Sequence, residues 1–378
     1  MIIGYDGKRA INNMTGLGNY SRLVIESVAR TFPASKLLVY TPKLSENPRL
    51  AEMRSLHNVE FRLPPPQGFQ GSLWRTFGMT NNLRADKVEI FHGLSNELPL
   101  NIKASGIPSV VTIHDVIYRR RPQCYNAADR ILYDFKYGRS CHNATRIIAV
   151  SQRTKDDIVE IYGVSPEKID VVYQGCDDSF KTTIPTEKLD AIRRRLLLPQ
   201  RYVLQVGTIE ERKNLELTVR AMSAVPKDVK LLVVGRDRKG YLAKVKGLAK
   251  ELGILSRIDI RHDITFADLP AVCQMAEVVA YPSFYEGFGI PVLEGLESRR
   301  PVIAATGSCL EEAGGEAAFY VRPDDPRAMG DIICGILDGS VSIADRIEKG
   351  LRHAARFNTS EMADRLMSIY EKILNSGL

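Results

Sequence analysis

Cysteine is sparse and scattered. Six occur in 378 residues (Cys124, Cys141, Cys176, Cys273, Cys309 and Cys334), with no C-x-x-C pair and no histidine set beside them. That spacing argues against a disulfide framework or a zinc site, so the thiols read as buried apolar groups in a reducing compartment. No apolar run reaches the about 18–20 residues that cross a bilayer, so no membrane-spanning helix is expected. The opening Met1-Ile2-Ile3-Gly4-Tyr5-Asp6 reads as a strand going straight into a turn and lacks the basic and apolar regions of a secretory leader. A cytoplasmic location is expected, with peripheral contact at the inner membrane face left open. A dominant sign of charge is also missing: 52 Lys and Arg stand against 45 Asp and Glu, a net +7. This surplus, most of it in the first 180 residues, suits phosphate-bearing ligands or an anionic membrane surface and demands neither. No nucleic-acid partner is expected. The 44% hydrophobic and 26% charged content are those of an ordinary globular protein. A chain of 378 residues exceeds one typical core, so two domains are expected.

What is present is a rhythm of short apolar runs and longer amphipathic stretches. Strands are expected at Met1–Tyr5, Lys36–Tyr40, Val59–Arg62, Val88–His92, Ser109–Ile113, Arg146–Val150 and Ile169–Tyr173, with helices near Asn19–Thr31, Leu73–Arg84, Ala127–Cys141 and Thr154–Tyr162. That order is the pattern of a parallel sheet covered by helices on both faces. The rhythm lapses over Cys176–Gln200, which holds Pro185, Pro199 and Arg193-Arg194-Arg195 and reads as a connection with a short helix. It resumes with strands at Tyr202–Val206, Lys230–Val234, Ile258–Arg261, Val278–Tyr281, Pro301–Ala304 and Phe319–Val321, then helices at Ser342–Arg356 and Thr359–Leu374. The fold class is therefore α/β, with two doubly wound parallel-sheet halves and a cleft between them.

The chemistry concentrates in Tyr281-Pro282-Ser283-Phe284-Tyr285-Glu286-Gly287-Phe288-Gly289-Ile290-Pro291-Val292-Leu293-Glu294. It reads as a strand end, a glycine-bearing loop and a helix with Pro291 at its first position. Gly287 and Gly289 can take positive φ and let a ligand approach the backbone. Amides at a helix N-terminus suit a phosphate. Glu286 and Glu294 flank that site, and ionised carboxylates are strong acceptors for hydroxyls. A ligand carrying both phosphate and hydroxyls, a nucleotide-sugar, fits the spacing. Arg212 and Lys213 follow Val206-Gly207-Thr208 at another strand end and can neutralise a diphosphate. No D-x-D metal cage stands in a comparable loop, so these cations are expected to replace a divalent ion; no metal and no cofactor are expected beyond the nucleotide-sugar co-substrate. Thr15-Gly16-Leu17-Gly18-Asn19-Tyr20-Ser21 follows the first strand, but Ser21 stands where a dinucleotide fingerprint needs its third glycine, and Thr31 to Lys43 offers no acid for a ribose. Hydride transfer is disfavoured.

Glu286 and Glu294, in Glu-Gly-Phe-Gly-Ile-Pro-Val-Leu-Glu, resemble the E-x7-E signature of retaining GT-B glycosyltransferases. Val206-Gly207-Thr208-Ile209-Glu210-Glu211-Arg212-Lys213-Asn214 resembles the donor-phosphate loop of glycosyltransferase family 4. The resemblance covers nearly the whole chain and is strongest from Tyr202 to Asp325. It implies the GT-B fold, two Rossmann-like domains with an interdomain cleft. Residues 1–180, joined by a returning helix at about 359–378, would form the acceptor-side domain, and 181–358 the donor-binding domain. It further implies that Gly16 and Gly18 lie over the donor phosphate from the opposite domain, and that His114 lies beside the transferred sugar. Roles follow as expectations: Glu294 accepts from ribose hydroxyls, Glu286 from sugar hydroxyls, Arg212 and Lys213 hold the diphosphate, and the Gly287, Phe288 and Gly289 amides hold hydroxyls or phosphate oxygens. The loop at Asp263 and Ile264 is placed near the base.

His114 ends the predicted strand of Thr112-Ile113-His114-Asp115, the edge where open α/β sheets bind ligands. It is assigned to sugar positioning and transition-state charge, with Asp115 as a turn or orienting partner. Arg119-Arg120-Arg121 reads as a solvated loop in preference to a contact with an anionic acceptor. Trp74, Phe77 and Phe69 read as core in preference to an acceptor or membrane surface. The expected activity is retaining, metal-independent transfer of a sugar, with mannose from GDP-mannose ahead of a UDP-sugar, to a glycan or lipid-linked acceptor. A phosphorylase or synthase on the same fold, and a sugar-binding protein without turnover, are the alternatives.

Overall fold

A computed structural model of the chain describes residues 1–46, 48–238 and 240–376. It divides into two units, Met1–Gln174 with Asn358–Leu378, and Gly175–Phe357. In the first unit, β1 (Ile2–Asp6), β2 (Lys36–Tyr40), β3 (Val59–Arg62), β4 (Ile90–Gly93), β5 (Ser109–Ile113), β6 (Arg146–Ala149) and β7 (Ile169–Val171) form one parallel sheet. Its order is β3-β2-β1-β4-β5-β6-β7. In the second, β8 (Tyr202–Val206), β9 (Lys230–Val234), β10 (Ile258–Arg261), β11 (Val278–Tyr281), β12 (Val302–Ala305) and β13 (Phe319–Val321) run in the order β10-β9-β8-β11-β12-β13. Both sheets reverse their order of addition once, at β1/β4 and at β8/β11. At such a reversal the flanking connections leave to opposite sides and open a crevice at the carboxyl ends of the strands.

Sequence pattern explains which strands are central. β4, β5, β11 and β12 are buried at every residue, because helices cover both faces of a parallel sheet. The edge strands β3 and β10 carry Glu60 and Arg62, and Asp259 and Arg261, and are only half-buried. β12 begins one residue after Pro301, which has no N–H to give and enters the sheet only as an acceptor for the Val279 amide at 2.9 Å. β4 starts two residues later than the apolar run predicts, since the Val88 amide instead closes a turn onto the Leu83 carbonyl at 3.0 Å.

Three other expectations are corrected. The stretch expected as one helix over Leu73–Arg84 is interrupted by a π-turn at Trp74–Gly78. Trp74 is buried there and donates its indole N–H to Asn82 Oδ1 at 2.8 Å, while Phe69 and Phe77 stay 55% and 41% exposed. Core packing therefore holds for Trp74 and fails for the two phenylalanines. The arginine run is not a solvated loop: Arg119 pairs with Asp134 at 2.8 Å, and Arg120 with Asp157 and Glu160. The returning helix Thr359–Asn375, capped by the Asn358 side chain on the Ser360 amide at 2.8 Å, packs on the helix Gly16–Thr31. Residues 377 and 378, included in the expected span, lie outside the described residues. Among the described residues no helix is long and apolar enough to cross a membrane.

Candidate active site

In the second unit the site grows from the β8/β11 reversal. β8 is followed directly by Gly207, whose φ of 139° suits glycine. A Cβ at Gly235, after β9, would stand 1.8 Å from the Gly207 carbonyl oxygen, so only glycine lets the two loops touch. The chain then makes one tight turn, Glu211–Lys213, and reverses through Asn214 at φ 53°, a left-handed position asparagine tolerates. Asn214 Nδ2 donates to the carbonyls of Pro323 (2.8 Å) and Pro282 (3.2 Å), tying this loop to the one after β11. Gln205 Nε2 holds the Lys213 carbonyl at 2.9 Å, and the Thr218 hydroxyl fixes the other end of that amide at 2.7 Å.

Arg212 and Lys213 are thereby aimed at Glu286 on the neighbouring loop. Glu286 Oε1 lies 2.7 Å from Arg212 Nη1 and 2.7 Å from Lys213 Nζ. Arg212 also reaches Glu210 at 2.7 Å and the Tyr285 carbonyl at 2.9 Å, and Lys213 donates to the Tyr281 hydroxyl at 2.5 Å. All three charged groups are nearly buried. Burial alone would raise the Glu286 pKa, but the two cations outweigh it and hold the carboxyl at about 2. Burial pulls the Lys213 ammonium downward, further than Glu286 restores it, with Arg212 adding to the effect. A desolvated ammonium beside a guanidinium favours any further anion brought within reach.

The loop after β11 keeps its shape through Gly289, at φ 121°, where a Cβ would meet Leu310 Cδ2 at 2.7 Å. Gly287 does not take positive φ, and Pro291 is the second residue of the helix Ile290–Glu297, not the first. Cys309 Sγ–H lies 3.1 Å from the Glu286 carbonyl and 3.0 Å from that of Phe288, cross-bracing the loop. Phe288 is buried against Phe357 at 5.3 Å between ring centroids.

Glu294 sits one turn into that helix and is 8% exposed. Among the described residues no donor pairs with its carboxyl. Burial, with a smaller contribution from Asp177, raises its pKa to about 8. The expectation of an ionised acceptor is thus modified: the group is neutral at pH 7, because it is buried and among the described residues no cation stands beside it to hold the charge. Ser283, fully buried at the base of the same loop, likewise has a hydroxyl without a partner among the described residues.

In the first unit, β5 is followed directly by His114, which is 7% exposed. Its Nε2 is 2.9 Å from the Leu94 carbonyl, which can only accept, so Nε2 carries the proton and Nδ1 presents a lone pair. Asn96 Oδ1 accepts from the His114 amide at 2.7 Å, and the Tyr20 ring meets the imidazole edge-on at 4.6 Å. Burial lowers the His114 pKa to about 4, so the ring is neutral at pH 7. Asp115 is a turn residue, accepting from the Ile117 amide at 3.1 Å. The two loop glycines differ. Gly16, first in its helix, is exposed and a Cβ there would meet nothing within 4 Å, whereas at Gly18 it would stand 1.9 Å from the Asn13 carbonyl oxygen. Gly18 is a packing requirement and Gly16 is the open position.

The structure thus joins Arg212, Lys213, Glu286, Gly287, Phe288, Gly289 and Glu294 in one unit, with His114, Gly16 and Gly18 in the other. Asp263 is exposed and held by Arg261 at 2.6 Å. Gln205, Asn214, Ser283 and Cys309 were missed by sequence reasoning. Asn214 had a legible signal, an asparagine directly between a strand-end turn and a helix. Cys309 had none, because its partners are carbonyls 21 and 23 residues away. Among the described residues, no group of three or more His, Cys, Asp or Glu is arranged to hold a metal.

Comparison with known proteins gives consistent results. Residues 200–339 match the family model described as glycosyl transferases group 1, and residues 23–180 that of glycosyltransferase family 4. The O-antigen chain mannosyltransferase B of Escherichia coli is 27% identical over 293 residues, 76% of each chain. The O-antigen chain mannosyltransferase RfbU of Salmonella typhimurium is 26% identical over 254 residues, 67% of this chain and 66% of that one. Among solved structures, HepE of Anabaena, in complex with UDP and glucose, superposes with a TM-score of 0.78 at 19% identity, covering 98% of this chain and all of that one. WaaG, a glycosyltransferase involved in lipopolysaccharide biosynthesis, gives 0.73 at 18% identity over 98% and 99%.

Proposed function

The chain belongs to glycosyltransferase family 4 and has the GT-B fold, and from that premise we propose that it is a retaining, metal-independent mannosyltransferase. The donor is GDP-mannose and the acceptor a glycan or lipid-linked glycan. The observation that carries this reading is the buried Arg212–Lys213–Glu286 cluster at the β8/β11 reversal, directly ahead of a helix N-terminus. Its mannosyltransferase relatives support the choice of sugar.

Glu286 lies against both cations. An arriving diphosphate takes over those charges, and Glu286 is released to accept from the sugar hydroxyls and to lend negative charge near the anomeric carbon. Leaving-group charge grows as the bond from the anomeric carbon to the phosphate oxygen breaks, and the electron pair goes to that oxygen. Fixed cations that need no reorganisation then stabilise the transition state more than the bound donor. The acceptor hydroxyl attacks the same face, forms the new C–O bond and passes its proton to the departing phosphate oxygen. Retention follows without a covalent enzyme intermediate. His114, neutral with a free Nδ1 lone pair, positions a sugar hydroxyl. Glu294 accepts from the ribose hydroxyls, and its ionisation is completed by those donors.

The first test is thermal stabilisation by GDP, UDP and ADP, since a bound nucleotide raises the melting point by mass action. GDP should give the largest shift; UDP selectivity would end the GDP-mannose assignment. Transfer from GDP-mannose should then give an α-linked product and should survive chelation. A requirement for a divalent ion would remove the role given to Arg212 and Lys213, and product formed only with orthophosphate would point to a phosphorylase.

A further inference from the structure

A buried histidine with no part in the proposed reaction lies at the β1/β4 reversal of the first unit. His92, on β4, is the register partner of Tyr5 on β1. Its Nδ1 lies 2.6 Å from the hydroxyl of Tyr370 on the returning helix, and its Nε2 2.8 Å from Thr112 Oγ1 on β5. The Tyr20 hydroxyl stands 3.2 Å beyond Thr112 Oγ1, and at the other end the Tyr5 hydroxyl is 3.4 Å from that of Tyr370. All five side chains are at most 2% exposed. Burial lowers the His92 pKa to about 3, so the ring is neutral, with one nitrogen donating and the other accepting. A hydroxyl has one proton to give. The protons of this network therefore point one way along it, and the orientation of one member constrains the next. Replacing such groups by hydrocarbon of the same shape can be nearly neutral for stability, so the network is better explained by what it orients than by what it holds together.

Two paths lead from Thr112 to His114. The Thr112 hydroxyl meets Tyr20, whose ring packs edge-on against the His114 imidazole at 4.6 Å. The Thr112 carbonyl accepts from the Asn96 amide at 2.9 Å, and Asn96 Oδ1 accepts from the His114 amide at 2.7 Å. We propose that His92, Thr112, Tyr20 and Tyr370 are positioning residues that set the ring plane of His114 and make it depend on the helix Thr359–Asn375. The consequence for turnover rests on the sugar-positioning role given to His114 above; the coupling itself does not.

The full chain carrying isotope-labelled histidine reports both rings by NMR. Tyr370→Phe removes a hydroxyl on the far side of His92 from His114, and the ring-nitrogen resonances of both histidines should move. They should move again in Thr112→Val, which keeps the side-chain shape without the hydroxyl, and return in Thr112→Ser, which keeps the hydroxyl. Melting temperatures identify the variants that fold, and Tyr370→Phe decides alone if Thr112→Val does not. His114 resonances that stay in place in every folded variant would overturn the proposal, as would a serine variant that behaves like the valine one. In turnover with GDP-mannose, Tyr370→Phe and Thr112→Val should lower kcat about tenfold at little-changed donor KM, as lost alignment does. Neither should add to the loss in His114→Ala, because an effect carried through one residue vanishes with that residue. A loss that persists in the His114→Ala background is structural and sinks the proposal. If His114→Ala keeps full kcat, the role proposed for that histidine falls together with the turnover consequence, and the NMR result decides the coupling.

Discussion

The two sheets share a strand order and each places two acids and two cations beside its reversal, yet the surroundings of the two clusters differ. Beside β1/β4, Arg75 is clamped between Asp6 at 2.6 Å and Glu97 at 2.5 Å, and Lys136 reaches Glu97 at 3.4 Å. The cavity there is about 10 Å³, room for roughly one water. Asp6 and Glu97 outweigh the burial penalty and push the Arg75 guanidinium upward. At β8/β11 a single Glu286 oxygen serves both Arg212 and Lys213, as a single Glu97 oxygen serves Arg75 and Lys136, but the Lys213 ammonium is pulled downward and glycines and a helix N-terminus surround the cluster. Topology sets where charge gathers. The pairing is alike in the two clusters, and what differs is the backbone around them: glycines and a helix N-terminus beside the second, tight packing around the first.

Breaking the closed cluster should cost the most. Arg75→Met leaves Asp6 buried without its cation and Glu97 with Lys136 alone, and removing one partner of a buried pair costs about 3–5 kcal/mol. Thermal or denaturant unfolding should record that loss, with the affinity of the folded fraction for nucleotide unchanged. An unaltered melting temperature would erase the contrast between the two clusters.

The open cluster should respond in turnover. Lys213→Ala is expected to reduce kcat about 10²–10³-fold, the effect of losing one preorganised charge at a developing oxyanion, while changing donor affinity less than about tenfold. Glu286 keeps Arg212 as a partner, so the fold should survive. Steady-state kinetics beside calorimetric donor binding decides the matter: equal losses in kcat and affinity would mean that Lys213 serves ground-state binding alone.

A smaller effect separates the two glycines at the start of the helix Gly16–Thr31. Gly18→Ala drives a methyl into the Asn13 carbonyl and should destabilise by about 1–3 kcal/mol, as overpacking does. Gly16→Ala meets nothing and should leave the melting temperature unchanged or slightly raised. If Gly16 also touches the donor, its variant loses activity at full stability, a combination Gly18→Ala cannot produce.

Much of this was legible in the residues themselves. Apolar runs bounded by turn residues located the thirteen strands found among the described residues, because a strand buried on both faces has little choice but Val, Ile and Leu. The Glu286 and Arg212–Lys213 loops were legible as well, since glycine and paired charge at strand ends have few other uses. The cluster's internal pairing was not: which carboxylate answers which cation depends on loops 73 residues apart. Phe77 misled for a related reason, since a π-turn rotates the face that a regular helix would bury, while Phe69 lies in the loop ahead of the helix. Glu294 was found, but its protonation could not be read from spacing, because it depends on what is absent around the carboxyl.

That protonation gives the last prediction. Glu294 binds its proton more tightly folded, at about 8, than in the unfolded chain near 4.5. The folded state therefore carries the extra proton between those values, and stability should fall as pH rises through that window and level off above it. Glu294→Gln should flatten this part of the stability curve. Donor binding should run the opposite way. Ribose hydroxyls that donate to the carboxylate favour its ionised form, so affinity should climb from pH 6.5 towards about 8 and then plateau, and the glutamine variant should bind about tenfold more weakly with no slope. His114, held at about 4 by burial, adds no inflection to the same profile. Calorimetric titration of nucleotide across that range, on both proteins, separates the two groups; a slope that persists in Glu294→Gln would assign the proton elsewhere and remove the ribose role.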